Sequence, residues 1–151
     1  MPQDREIETR KRYKVFADVT TRWNDNDVYG HINNAIYNEW MDTAITNQFR
    51  KHLTGYPNTP IIPVAAETYL TFRKSIAHPA DVETGFRVKR LGNRSVICEI
   101  GIFAKGASEA SAWGHMVHVW VDRETNQSVP IPDSVREGLS ASIQDGESVT
   151  E

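Results

Sequence analysis

Residues 34–53 read NAIYNEWMDTAITNQFRKHL. Their apolar members, Ile36, Tyr37, Trp40, Met41, Ala44, Ile45, Phe49 and Leu53, recur on i, i+4 rows and make one broad stripe. Asn38, Glu39, Asp42, Thr43, Asn47 and Arg50 fall mostly opposite. This spacing predicts an amphipathic helix. Asn33 or Asn34 can cap its start, because a side-chain amide oxygen accepts from free N–H groups of the first turn. Gly55 and Pro57 stop it. At 1.5 Å per residue it runs about 30 Å and needs a large apolar surface to lie on.

The flanking sequence supplies that surface as strands. Tyr13 to Trp23 reads as a strand before the helix. After it, Val64 to Lys74 alternates, with Val64, Ala66, Thr68, Leu70 and Phe72 on one side. Val82 to Leu91 sets Val82, Thr84, Phe86 and Val88 against Glu83, Arg87 and Lys89. A turn at Gly92-Asn93 leads into Val96 to Ala104, and a second turn leads into Ala112 to Asp122. Short polar turns make neighbouring strands antiparallel. The class is therefore α+β, with a helix on one face of an antiparallel sheet. One helix covers one face only, so an edge strand or apolar margin is left for a second copy of the chain.

The 151 residues suit one domain, with 39% hydrophobic and 25% charged positions. Residues 1–12 read as a charged, solvated arm, 13–132 as the domain, and 133–151 as a short helix and tail. Seventeen Lys plus Arg against 20 Asp plus Glu give a net charge of −3, which provides no general attraction to nucleic acid or membrane surfaces. No apolar run reaches membrane-span length, and the N-terminal residues lack a secretory apolar stretch. A cytoplasmic protein is expected. The single cysteine, Cys98, excludes an internal disulfide and a multi-cysteine metal site, and its apolar neighbours read as core.

The chemistry-bearing stretch is residues 22–40, RWNDNDVYGHINNAIYNEW. Asp25 and Asp27 sit where the strand is expected to end. If extended they share a side; a turn starting at Asp27 separates them. A carboxylate near a helix start faces the positive end of the helix dipole and its free N–H groups, which favour its ionised form. Those donors also bind an oxygen that is gaining negative charge. One segment can thus supply an acidic group and an oxyanion hole, as acyl transfer requires. Asp, Asn and Gly clusters at such junctions also serve simply as turn and cap residues. Spacing alone does not decide between the two.

Residues 25–42, DNDVYGHINNAIYNEWMD, resemble the signature of hotdog-fold acyl-CoA thioesterases of the 4-hydroxybenzoyl-CoA thioesterase-like family. The matching positions are Asp25, Asp27, Gly30, His31, Asn33, Asn34, Tyr37, Trp40 and Asp42, and a looser likeness extends over about 13–132. The resemblance implies a five- to six-stranded antiparallel sheet wrapped around one long helix, and dimers, often tetramers, with sites at the subunit interface. It implies Asp27 as the catalytic carboxylate, acting as nucleophile or general base. The backbone N–H near Asn34 would polarise the thioester carbonyl, His31 would line the site, and Gly30 and Asn33 would contact substrate. Glu39 is a lesser candidate for a helix carboxylate used by some members. Coenzyme A enters as part of the substrate, with no further cofactor or metal.

Coenzyme A carries three phosphate groups, which need cations. Arg73, Lys74, Arg90, Arg94 and Lys105 lie near expected strand ends or turns, where they could equally be solvated edge charges. Arg90 and Arg94, flanking the Gly92 turn, are preferred, with Ser95 as a donor beside them. His115 and His118, three apart on a strand, face opposite sides and cannot share a metal. Trp23, Trp40, Trp113 and Trp120 read as packing residues. No Gly-x-Ser-x-Gly elbow or phosphate-cradling glycine loop occurs. Two other readings stay open. Tyr29-Gly30-His31 resembles the Gly-His of hotdog hydratases and dehydratases, although Ile32-Asn33-Asn34 follows it poorly. A non-catalytic acyl-CoA-binding module on the same scaffold is the other.

Overall fold

In the strand Ser95–Ala104, every second side chain from Val96 to Ile102 (Val96, Cys98, Ile100, Ile102) is fully buried. These residues face the stripe Tyr37, Trp40, Met41, Ile45 and Phe49 of the helix, so periods of 2 and 3.6 meet in one core. The computed structural model describes residues 6–143. Its main elements are β1 (Val15–Val19), α1 (Asn34–Arg50), β2 (Ile61–Phe72), β3 (Val82–Leu91), β4 (Ser95–Ala104), β5 (Ala112–Asp122) and α2 (Asp133–Ser140). The strands form one antiparallel sheet in the order β1-β3-β4-β5-β2, with α1 across β3 and β4. This is the α+β hotdog arrangement, with five strands. Among the described residues no helix is long and apolar enough to cross a membrane.

The helix ends at Arg50, three residues short of the predicted Leu53, where N–H groups of His52 and Leu53 turn back to the carbonyls of Phe49 and Arg50. The strand predicted over 13–23 ends at Val19. In β2 the register with β5 shifts between Ala65 and Glu67. This bulge puts Thr68, Leu70 and Phe72 on the helix side, opposite Met116, Gly114 and Ala112, but turns Val64 outward, opposite Val119. The expectation that Val64 and Ala66 share a side with Leu70 is thus corrected. β2 also forms one edge of the sheet, and its middle, residues 64–69, is exposed.

The outer face of the sheet carries the second correction. Residues 6–12, read as a solvated arm, find counter-charges there. The Arg87 guanidinium, buried on the outer face, bonds Glu8 at 3.0 Å and Glu99 at 2.9 Å and lies 4.4 Å over the Tyr13 ring. Arg10 bonds Glu83 at 2.7 Å and sits over Phe16 and Phe103. Tyr13 needs the space that Gly85 and Gly101 leave, since a Cβ at either would come within 2.9 and 2.8 Å of it. At the other terminus, where 133–151 read as a short helix and tail, α2 buries Val135 and Leu139, and residues 144–151 lie outside the described residues.

Candidate active site

The segment between β1 and α1 is built by its two aspartates, which do different things. Asp25 closes a 3-10 turn, Trp23–Asp25, and is only 1% exposed. Its carboxylate accepts from the Arg22 main-chain N–H at 2.8 Å and from the Arg22 guanidinium at 2.9 and 3.1 Å. Its carbonyl accepts the Asn33 N–H at 2.8 Å, which fixes the point where the helix begins. Asp25 is therefore fully engaged.

Asp27 starts a second turn. Its N–H donates to the His31 carbonyl at 2.8 Å, its carbonyl accepts from Gly30 at 3.1 Å, and its Oδ1 accepts from the Tyr29 N–H at 2.8 Å. Gly30 completes the turn with φ of 83°, a backbone region that a side chain disfavours. Of the two geometries open to the sequence, the turn holds: it separates the two carboxylates, one inward and one toward a surface hollow. The loop is clamped from outside. The Asn26 side chain accepts from the His78 N–H at 3.0 Å, and the Ile32 N–H donates to Ile76 at 2.8 Å.

The Asn33 side chain caps α1, accepting from the Ala35 N–H at 2.9 Å. Among the described residues nothing accepts from the Asn34 N–H. That donor sits at the positive end of a 17-residue helix. Asp27 and Asn34 line the same hollow of about 500 Å³, together with Tyr29, His31 and the buried Ile32. Tyr37 and Phe72, edge to face at 5.2 Å, form an aromatic wall. Burial pushes the Tyr37 phenol above its ordinary value, opposed by a hydrogen bond from the Ile76 main chain. Arg73, Lys74 and Ser75 make the remaining side. A carboxylate and a free helix-start N–H on one cavity are the elements of acyl transfer.

The structure thus brings together Asp27, Asn34 and His31, with Gly30 shaping the turn. Asn33 is committed to capping and does not line the hollow. Glu39 lies on another side of α1, in a groove against β1 with Arg22 and Trp40. Arg90, Arg94 and Ser95 stand at the far end of the sheet. Asp27 follows β1, whose last residue pairs with Val82 at the start of β3, whereas these residues surround the end of β3, about 30 Å of strand away. Arg94 spends one guanidinium nitrogen on the Ser128 carbonyl. Within one chain, the cations placed at the site are instead Arg73 and Lys74. Lys105 pairs with Asp18 at 3.2 Å.

His115 and His118 do face opposite sides. His115 bonds Glu67 at 2.8 Å on the outer face, while His118 is buried against Phe49. Among the described residues no three of His, Cys, Asp and Glu gather as a metal site. Cys98 is buried in the core, and burial pushes its thiol up. Trp40 and Trp120 pack as expected, but Trp23 is 79% exposed, near Val28 at 94% and Tyr29 at 82%. Sequence reading missed this apolar display and the engagement of Asp25. For Asp25 the signal was present in Arg22, three residues earlier.

Solved structures with this arrangement are numerous. The PA5185 protein of Pseudomonas aeruginosa strain PAO1 is 34% identical, with a TM-score of 0.90 over 94% of this chain and 100% of that one. The PA2801 protein of Pseudomonas aeruginosa is 30% identical, with a TM-score of 0.75 over 83% and 97%. A thioesterase from Thermus thermophilus, solved with coenzyme A and Zn, is 28% identical, with a TM-score of 0.72 over 85% and 98%. No curated protein matches the chain. The model of the thioesterase-like superfamily matches residues 21–139, from the turn that buries Asp25 to the end of α2. With most of its length matched by that family and its architecture shared with these structures, the chain belongs to the thioesterase-like superfamily.

Proposed function

We propose that this thioester hydrolase acts on acyl-CoA, with Asp27 as the reacting carboxylate and the Asn34 N–H as the oxyanion donor. The observation that carries the reading is their placement on one hollow, Asp27 half-buried and the Asn34 N–H without an acceptor among the described residues. Coenzyme A bound to the Thermus thermophilus relative supports the substrate class. The Tyr29 N–H holds Oδ1 of Asp27, which orients Oδ2 toward the substrate. In one route Oδ2 attacks the carbonyl carbon, coenzyme A leaves as thiolate, and water then cleaves the anhydride. In the other Oδ2 takes a proton from the attacking water. Either way the carbonyl oxygen gains charge, and the helix start stabilises it; one such donor is worth about a hundredfold to a thousandfold in turnover.

The open edge of β2 and the exposed Trp23, Val28 and Tyr29 support a homodimer paired along β2, with the partner covering the hollow. Asp27→Asn tests the assignment. The amide can still accept from the Tyr29 N–H, so the fold and oligomer should persist while thiol release from acyl-CoA falls by about a hundredfold or more. Near-normal turnover in that variant removes the assignment.

A further inference from the structure

Arg73, Lys74 and Ser75 are a shared wall. One side faces the Asp27 hollow, and the other faces a second depression of about 420 Å³ between the β2–β3 connection and the turn joining β4 to β5. Its ground is small and apolar, made by Ala77, Ala80, Ala104 and Ala107, with Ser108 and Ser111 at its side.

The cations on that wall lack counter-ions among the described residues. Lys74 is exposed, and no carboxylate there pairs with it. Arg73 donates Nε to the Ala110 carbonyl at 2.9 Å, which leaves its terminal nitrogens for an anion. The wall is also fixed in place. The N–H groups of Arg73 and Lys74 both donate to the Ser111 carbonyl, at 2.9 and 3.0 Å. The opposite bank is held by the N-terminal arm: the Arg10 N–H donates to Ser108, and Arg10 Nε donates to Ala107. Arg10 is itself locked by Glu83, whose carboxyl the Arg10 bond and the Gly106 N–H hold below its usual range.

Unpaired cations on a rigid wall suit phosphate oxygens, and a floor of methyl groups suits the flat face of a base. We infer that this depression takes the phosphorylated nucleotide end of coenzyme A while the thioester reaches across the shared wall to Asp27. This rests on the acyl-CoA reading and sharpens it, because the carrier is then the free nucleotide thioester. An acyl carrier protein presents one phosphate and no base to fill the alanine floor. Glu109 is the one carboxylate lining the depression, and it opposes the ligand's charge.

The test uses adenosine 3′,5′-bisphosphate as the binding probe and paired acyl-CoA and acyl-pantetheine thioesters as substrates. The bisphosphate should bind the intact protein and compete with acyl-CoA, and KM should be lower for acyl-CoA than for the acyl-pantetheine thioester. Lys74→Glu should weaken the bisphosphate about tenfold or more and shrink the KM gap, whereas Glu109→Gln should tighten it. Full binding by Lys74→Glu, or loss of binding in Arg90→Ala plus Arg94→Ala instead, overturns the inference. Turnover of both thioesters with equal KM also overturns it and leaves the thioesterase reading standing. Turnover of neither overturns that reading, and bisphosphate binding still judges the depression.

Discussion

Exchanging each of the two aspartates in turn separates framework from chemistry. In Asp25→Ala the Arg22 main-chain N–H loses an acceptor at 2.8 Å from a carboxylate only 1% exposed. Stranding such a donor costs about 1–3 kcal/mol, and the cavity left adds about 1 kcal/mol. The guanidinium of Arg22 is largely in water and can swing away, so its two bonds are left out of that sum. Asp25→Asn keeps one oxygen for the Arg22 N–H and fills the same volume, so it costs about 1–2 kcal/mol. For a chain of this size 1 kcal/mol moves Tm by roughly 2–4 °C, so the alanine variant should melt roughly 4–16 °C lower and the asparagine variant roughly 2–8 °C lower. Thermal unfolding and thiol release are measured on both, beside Asp27→Asn. The expected pattern is crossed: Asp25 variants lose Tm and keep part of their turnover, and Asp27→Asn keeps Tm and loses turnover. An Asp25→Asn variant with native Tm and no turnover would refute the reasoning, because Asp25 would then be the reacting group.

Two further outcomes follow from groups far from the hollow. Arg87→Met should cost about 3 kcal/mol, since it leaves the largely buried Glu99 without its counter-ion and Glu8 with only its longer bond to Arg12; a Tm within about 2 °C of native would show that the arm contributes little. Replacing Glu8 and Glu99 by Gln in the same variant should recover much of the loss. His118, whose pKa burial lowers while Asp42 pulls it partly back, binds its proton more readily unfolded than folded. Its contribution is full above the ordinary value of 6.5 and is lost as pH falls below that toward the folded value, at up to about 1.4 kcal/mol per unit. In His118→Leu the fall in Tm between about pH 7 and 5, the range that brackets an ordinary histidine, should be shallower than in the native chain, and parallel curves would contradict this.

What the sequence yields depends on whether neighbours in the chain are also neighbours in space. The helix and the extents of β3 and β5 could be read because their patterns are local and strictly periodic. The bulge in β2 could not, because Val64, Ala66 and Thr68 continue an alternation that the shift at Ala66 breaks without changing residue character. The arm looked solvated because its partners, Glu83 and Arg87, lie more than 70 residues ahead. Which cations lie beside Asp27 within one chain could not be read, for a topological reason. Arg73 and Arg90 both lie at strand ends, and only the antiparallel pairing of β1 with β3 shows which end receives the helix start. The closeness of Asp27 and Asn34 was legible because turn, cap and helix are consecutive in the chain.

The same connectivity bears on how the exposed apolar residues are used. Trp23, Val28 and Tyr29 sit on a loop tied by main-chain and side-chain bonds at Asn33–Asp25, Ile32–Ile76 and His78–Asn26. A segment so fixed loses little conformational freedom when something covers it, and this removes a cost that a loose loop would bring to association. The β2 edge of the described sheet is equally ordered, a 12-residue strand already extended and registered on β5. Both surfaces are therefore pre-organised for a lasting partner. In the proposed homodimer a second copy of the chain would meet that requirement along β2 and close the Asp27 hollow from the side that one chain leaves open. Excluding water there strengthens the pull of the Asn34 N–H on a charged oxygen, so in the proposed enzyme assembly and turnover rise together.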